Sequence, residues 1–217
     1  MNIKVCGLRK AENIEALKQL EIDWMGFIFY KNSPRDVSQE ESLKSLLIDE
    51  NWASEIKKVG VFVNIRIHDI LHYVHDYHLD YVQLHGNESP EYCQELNTLW
   101  SMSSMRKAKI IKAFSIATEE DFQYVRTYER HCAYFLFDTK GELPGGNGVT
   151  FNWDLLKHYQ GITPFLLSGG ISEAEVPAIR KLDAPQLFGV DINSKFEISP
   201  ALKDIEKVKR FVQALKN

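Results

Sequence analysis

Cys6, Arg35, His85, Asp138 and Asp191 share one feature: each stands at, or shortly beyond, the point where a short apolar run stops. A thiol and an imidazole can exchange protons near neutral pH, carboxylates can give or take them, and a guanidinium can hold a planar anion. Around one pocket they would suit proton transfer on a small anionic molecule. Leu167-Ser168-Gly169-Gly170, with a helix expected from about Glu173, offers a second chemistry. Glycines there let backbone N–H groups approach an anion at a helix start, so phosphate fits. Gly189-Val190-Asp191-Ile192-Asn193-Ser194 supplies the second wall. Gly145-Gly146-Asn147-Gly148 lacks the Lys-Ser or Lys-Thr of a nucleotide loop and suits a mobile lid.

Each of these residues also has a plainer reading. Cys6 could be a small buried hydrophobe, Asp138 a loop cap or a partner for Lys140, and His85 or Asp191 a hydrogen-bonded structural group. The glycines could form an ordinary helix-entry turn. His68, His72 and His75 fall on one helix face and could share a zinc ion, but no H-E-x-x-H spacing accompanies them and a solvated face is expected.

The elements that must position these groups recur at even spacing. Runs rich in Val, Ile, Phe and Leu, each followed by helical periodicity, predict strands over Ile3–Cys6, Met25–Phe29, Lys58–Phe62, Tyr81–Leu84, Lys109–Ala113, Tyr134–Asp138, Phe165–Leu167 and Leu187–Val190. Eight units in 217 residues leave about 27 residues each, the size of a minimal βα repeat. Ser38 with Glu41 reads as a capping box, Ser89-Pro90 as a cap before a first-turn proline, and Lys203–Leu215 as a final amphipathic helix. An open doubly wound sheet shows the same alternation. The turn Cys6-Gly7-Leu8-Arg9 lacks G-x-G-x-x-G, however, so a closed (β/α)8 barrel spanning residues 1–217 as one domain is expected. In such a barrel the C-terminal strand ends form the active-site mouth.

The composition agrees with small-molecule work. With 44% hydrophobic and 26% charged residues the chain can bury one large core, and a net charge of −4 offers no basic surface for nucleic acid. No apolar run approaches the roughly 20 residues needed to cross a bilayer. The opening Met1–Cys6 reads as a strand rather than a charged leader, so a cytoplasmic location and reduced Cys6, Cys93 and Cys132 are expected. Monomer and homodimer are both open.

The motifs, taken in order, resemble those of the phosphoribosylanthranilate isomerases of tryptophan biosynthesis. They are Lys4-Val5-Cys6-Gly7-Leu8, Gly26-Phe27-Ile28-Phe29-Tyr30 with Ser33-Pro34-Arg35, Val59-Gly60-Val61-Phe62-Val63-Asn64, Gln83-Leu84-His85-Gly86-Asn87-Glu88, Asp138-Thr139-Lys140, the two glycine clusters, and Gly189-Val190-Asp191. The resemblance implies an Amadori rearrangement without a cofactor. It makes Asp138 the general acid on the ring oxygen and Cys6 the general base at sugar C2. Arg35 would meet the anthranilate carboxylate, and Gly169, Gly170, Asn193 and Ser194 the phosphate of the phosphorylated substrate, with His85 and Asp191 in the same pocket. Departures from the family pattern are Lys31-Asn32, Asn147, Val149 and Asn193-Ser194-Lys195. A histidine-pathway isomerase performs the same rearrangement but commonly with two aspartates, and Cys6 separates the two. A non-catalytic phosphosugar-binding barrel would not need to keep both Cys6 and Asp138.

Overall fold

Eight parallel strands close on themselves in sequence order, β1 pairing with β8 as well as with β2. The computed structural model describes residues 1–49, 52, 55–104, 106–139 and 153–217. The loop expected as a lid, with Lys140, Asn147 and Val149, lies outside the described residues. The strands are β1 Asn2–Val5, β2 Trp24–Ile28, β3 Lys57–Phe62, β4 Tyr81–Leu84, β5 Lys109–Ile116, β6 Tyr134–Thr139, β7 Phe165–Leu167 and β8 Leu187–Ile192. Between them run α1 Ala11–Leu17, α2 Glu41–Ile48, α3 Ile67–Asp76, α4 Pro90–Met102 and α5 Asp121–Val125. Two tight 3-10 turns follow, Trp153–His158 after β6 and Glu173–Glu175 after β7, the latter leading into α6 Val176–Ile179.

The expected (β/α)8 barrel is therefore present, with differences that have local causes. β5 runs three residues beyond the expected Ala113, because Phe114, Ser115 and Ile116 find partners in Phe137, Asp138 and Thr139 of β6. β8 continues past Val190 because β1 pairs Lys4 with Asp191 and Val5 with Ile192. Asp191 thus belongs to the strand rather than to its end. Ser89 caps α4 as expected, accepting from the Tyr92 N–H with Pro90 behind it. The Ser38–Glu41 capping box does not form. The Ser38 hydroxyl donates instead to Asp36 at 2.6 Å, and α2 starts only at Glu41. The final helix, α7 Ile205–Lys216, begins after an Asp204 cap. Lys203, expected within it, belongs to a short antiparallel hairpin of β9 Glu197–Ser199 and β10 Leu202–Lys203.

The barrel interior is closed at its lower end by aromatic side chains from the even-numbered strands. Trp24 stacks on Tyr81 at 4.5 Å between ring centres, and Tyr134 packs on Phe188 at 4.5 Å. Such four-residue layers from alternate strands are how these barrels fill. A one-residue bulge in β8 between the partners of Phe165 and Leu166 accommodates Phe188. Above that plug lie Val59, Ile111 and Leu166, and above these the lining turns polar. Among the described residues no helix is long and apolar enough to cross a membrane.

Candidate active site

The first strand carries Lys4 and Cys6 on the same inward face, two residues apart. Lys4 is completely buried, and its ammonium donates to Asp191 Oδ1 at 2.9 Å. Burial alone would lower the pKa of this ammonium. Asp191 and Cys6 together outweigh burial and hold it above its ordinary value. Cys6 lies just past β1, its N–H continuing the ladder to the Ile192 carbonyl at 2.9 Å. Burial pushes the thiol up, and the cations of Lys4 and Lys203 pull against it.

Two glycines make room for this arrangement. A Cβ on Gly26 would stand 2.7 Å from Cys6 Sγ and 3.1 Å from Lys4 Nζ. Gly7 takes φ +76°, a region L-residues avoid, and a Cβ there would meet Arg35 Cδ and Asn193 Oδ1 at 2.7 Å. The thiol, the Arg35 side chain and the turn after β8 therefore converge around Gly7.

Arg35 and Asn193 are both committed to partners from the hairpin. Arg35 gives Nε to Glu197 Oε1 at 2.8 Å and Nη2 to Glu197 Oε2, and this pairing raises its pKa. Glu197 also accepts from Lys203 Nζ at 2.7 Å, and Lys203 Nζ donates to Asn193 Oδ1 at 2.7 Å. Burial opposes ionisation of Glu197, but Arg35 and Lys203 overcome it and hold the carboxyl below its usual range. Burial wins at Lys203, whose pKa is lowered. Asn193 thus turns its side-chain oxygen to Lys203, while Ser194 is exposed at the start of the next turn.

Across the barrel, three strand steps from β1, Asp138 lies near the end of β6, with His85 Nε2 at 3.7 Å from its Oδ2. His85 follows β4. Its Nδ1 is 2.9 Å from Gln83 Nε2, so with Gln83 donating, the ring proton sits on Nε2 and faces Asp138. Protein walls the ring although solvent reaches 38% of it. Burial lowers its pKa, with Lys4 and Lys112 adding to the effect and Asp191 opposing, so the ring favours the neutral form.

A buried pair supports the His85 loop. Glu88 accepts from the N–H groups of Asn64 at 2.7 Å and Gly86 at 3.0 Å, and lies 3.3 Å from Lys112 Nζ. Lys112 also donates to the Leu84 and Gly86 carbonyls. The tops of β3, β4 and β5 are tied together through these interactions.

The loop after β7 turns through Gly169 at φ +86° and Gly170 at φ +68°. It leads into a capping box in which Ser172 and Glu175 satisfy each other's backbone. That S-x-x-E pattern was present in the sequence as an N-terminus signal. His68, His72 and His75 are exposed along α3, and no grouping of His, Cys, Asp and Glu suited to a metal occurs among the described residues.

The structure brings Cys6, Arg35, Asp191 and Asn193 into one half of the barrel and His85 with Asp138 into the other. Glu197, Lys203 and the Glu88–Lys112 pair are additions that strand-end reasoning passed over.

A closed eight-stranded parallel barrel with proton-transfer groups from separate strands around its mouth defines a (β/α)8 enzyme. Residues 3–214 match the family described as N-(5'-phosphoribosyl)anthranilate (PRA) isomerase. The N-(5'-phosphoribosyl)anthranilate isomerase of Parabacteroides distasonis is 48% identical over 99% of this chain and 93% of its own length. Among solved structures, phosphoribosyl anthranilate isomerase from Thermotoga maritima superposes with a TM-score of 0.84 at 29% identity, covering 100% of this chain and 98% of that one. A phosphoribosyl anthranilate isomerase in complex with reduced 1-(o-carboxyphenylamino)-1-deoxyribulose 5-phosphate gives 0.80 at 27% identity over 100% and 98%. The chain belongs to the N-(5'-phosphoribosyl)anthranilate isomerase family.

Proposed function

We propose that this chain isomerises N-(5-phosphoribosyl)anthranilate to 1-(2-carboxyphenylamino)-1-deoxyribulose 5-phosphate, a step of tryptophan biosynthesis, with Asp138 as acid and Cys6 as base. The supporting observation is the placement of a thiol beside buried cations and a carboxylate beside a neutral-favouring imidazole, three strand steps apart at one barrel mouth. The family membership of the chain supports the same reading.

Asp138 gives its proton to the furanose ring oxygen, the C1–O bond breaks, and the nitrogen lone pair forms the Schiff base. Cys6 as thiolate takes the C2 proton, and the released electron pair forms C1=C2 while neutralising the iminium nitrogen. Loss of the C2 hydroxyl proton and protonation at C1 then give the ketone. The hydrogen and electron pair leaving C2 stay within the reaction, so no external oxidant or reductant enters. Separate acid and base sites let the two proton affinities be tuned independently. Arg35 is assigned to the anthranilate carboxylate, and the turn at Gly169 and Gly170 with the backbone of Asn193 and Ser194 to the phosphate. His85 would donate to the Asp138 carboxylate left by the first step. Asp191 serves Cys6 indirectly by holding Lys4. A histidine-pathway reading is disfavoured because Cys6 stands where two-aspartate enzymes carry a carboxylate.

The test is fluorescence of freshly made phosphoribosylanthranilate mixed with purified protein without metal or nucleotide. Turnover is expected. Cys6→Ser and Asp138→Asn should each lower kcat by roughly 10²–10⁴ with melting curves unchanged in shape. A wild-type protein without turnover overturns the reading, and a folded Asp138→Asn enzyme with near-wild-type kcat removes Asp138 as the acid.

A further inference from the structure

The Arg35 guanidinium carries more of the barrel's charge logic than a single substrate contact needs. Glu197 occupies its Nε and Nη2 edge, which leaves the Nη1 and outer Nη2 protons without an acceptor among the described residues. A guanidinium has five donors and can hold one carboxylate side-on and a second end-on. An Arg–Glu pair alone is neutral, however, and would give a second carboxylate little attraction. Lys203 changes that balance. Its ammonium is fully buried, bonded to Glu197 and to Asn193, so Arg35, Glu197 and Lys203 together hold one surplus positive charge. A second carboxylate on the open edge of Arg35 completes a two-plus, two-minus set away from bulk water, where unbalanced charge is costly.

We propose that Glu197 and Lys203 are positioning residues that make the Arg35 site select a substrate bearing a carboxylate on its aromatic ring. Glu197 fixes which edge of Arg35 faces the mouth, and Lys203 supplies the charge that lets two carboxylates share it. The inference rests on the assignment of Arg35 to the anthranilate carboxylate. Glu197 also accepts from the Ala201 N–H at 3.1 Å, so it braces the hairpin as well. A bracing role alone would weaken all ligands alike.

The experiment is isothermal titration of two ligands, reduced 1-(o-carboxyphenylamino)-1-deoxyribulose 5-phosphate and its phenylamino counterpart without the carboxylate. Wild type should prefer the carboxylated ligand by roughly 10- to 100-fold, the range of a charge-assisted hydrogen bond. Lys203→Met should shrink that ratio by about tenfold, while Glu197→Gln, which removes a competing negative charge and keeps an acceptor for Arg35, should not shrink it. Lys203→Arg, which keeps the charge, should retain most of the ratio. A wild type that discriminates beside a Lys203→Met variant that discriminates equally, or a Glu197→Gln variant that loses discrimination as Lys203→Met does, overturns this inference alone. A wild type indifferent to the carboxylate overturns the Arg35 assignment and this inference with it. Should Glu197→Gln not fold, Lys203→Met compared with Lys203→Arg decides, and equal ratios in those two overturn the proposal.

Discussion

Gly26→Ala adds a single methyl group, and the structure says where it goes. The new Cβ would lie 2.7 Å from Cys6 Sγ, 3.1 Å from the Cys6 α-carbon and 3.1 Å from Lys4 Nζ, whereas ordinary van der Waals separation starts at 3.4 Å. The sulfur must retreat by about 0.7 Å, and the Cys6 α-carbon, being part of the backbone, cannot yield cheaply. Misplacing a catalytic group by about 1 Å can cost 10²-fold, so kcat should fall by roughly 10- to 10²-fold. KM should stay within a factor of about three, because phosphate and carboxylate are assigned to other loops. Overpacking costs about 1–3 kcal/mol, which for a chain of this size lowers Tm by roughly 2–12 °C. Steady-state fluorescence kinetics and thermal melts read the two effects separately. The same substitution in a Cys6→Ala background supplies the cross-check. With the sulfur gone, residual activity should not fall further and part of the Tm loss should be recovered. A folded Gly26→Ala enzyme with wild-type kcat would refute the claim that the thiol must sit where β1 and β2 place it.

Three further outcomes follow from the same geometry. With Cys6 as the proposed base its thiolate is the active form, and Lys4 lowers the thiol pKa more than Asp191 raises it, so Lys4→Met with Asp191→Asn should move the Cys6 thiolate absorbance, read against a Cys6→Ala control, to higher pH; an unmoved titration counts against the coupling. Lys112→Met leaves Glu88 buried without its cation and should cost about 3–5 kcal/mol in denaturant melts, with kcat falling as the His85 loop loosens; unchanged stability would mean the pair is not what ties β3, β4 and β5 together. Millimolar sulfate should raise KM without changing kcat if the turn at Gly169 and Gly170 holds phosphate, and an unchanged KM would displace that site.

What the sequence made legible was the periodic part. Eight apolar runs at even spacing announce a barrel because parallel strands buried on both faces must read as continuous hydrophobic stretches, and Cys6 and Asp138 stand out because each interrupts or ends such a run. The positions of charged residues inside the barrel were less legible. Asp191 ended the apolar run at Val190 on paper, yet β8 continues through it because Lys4 of β1 neutralises it. Arg35 and Glu197 are 162 positions apart, and no local pattern encodes such a pairing. Lys203 fell within a helical periodicity that in fact starts two residues later. A signal for the hairpin was present, in the alternating Phe196-Glu197-Ile198-Ser199 followed by Pro200. At Ser38 the capping pattern was misleading because Asp36, two residues earlier, competes for the same hydroxyl.

The two halves of the mouth are built on different electrostatic principles, and the proposed roles of Asp138 as acid and Cys6 as base give a reason. On the Asp138 side, among the described residues, stands an imidazole whose pKa burial lowers. A neutral N–H can stabilise the carboxylate formed after proton donation without first attracting the proton away, as a cation would by favouring the charged carboxylate beforehand. On the Cys6 side the neighbours are ammonium groups. A thiol in a dry site holds its proton, and only fixed positive charge brings the thiolate within reach. Putting Lys4 beside Asp138 would have ionised the acid early, and putting a neutral imidazole alone beside Cys6 would have left the base protonated. Three strand steps separate the two groups, and the fields still overlap, since Asp191 and Lys4 reach His85 as well and there oppose each other. With those proposed roles, the barrel would hold two differently tuned proton sites on one ring of strands.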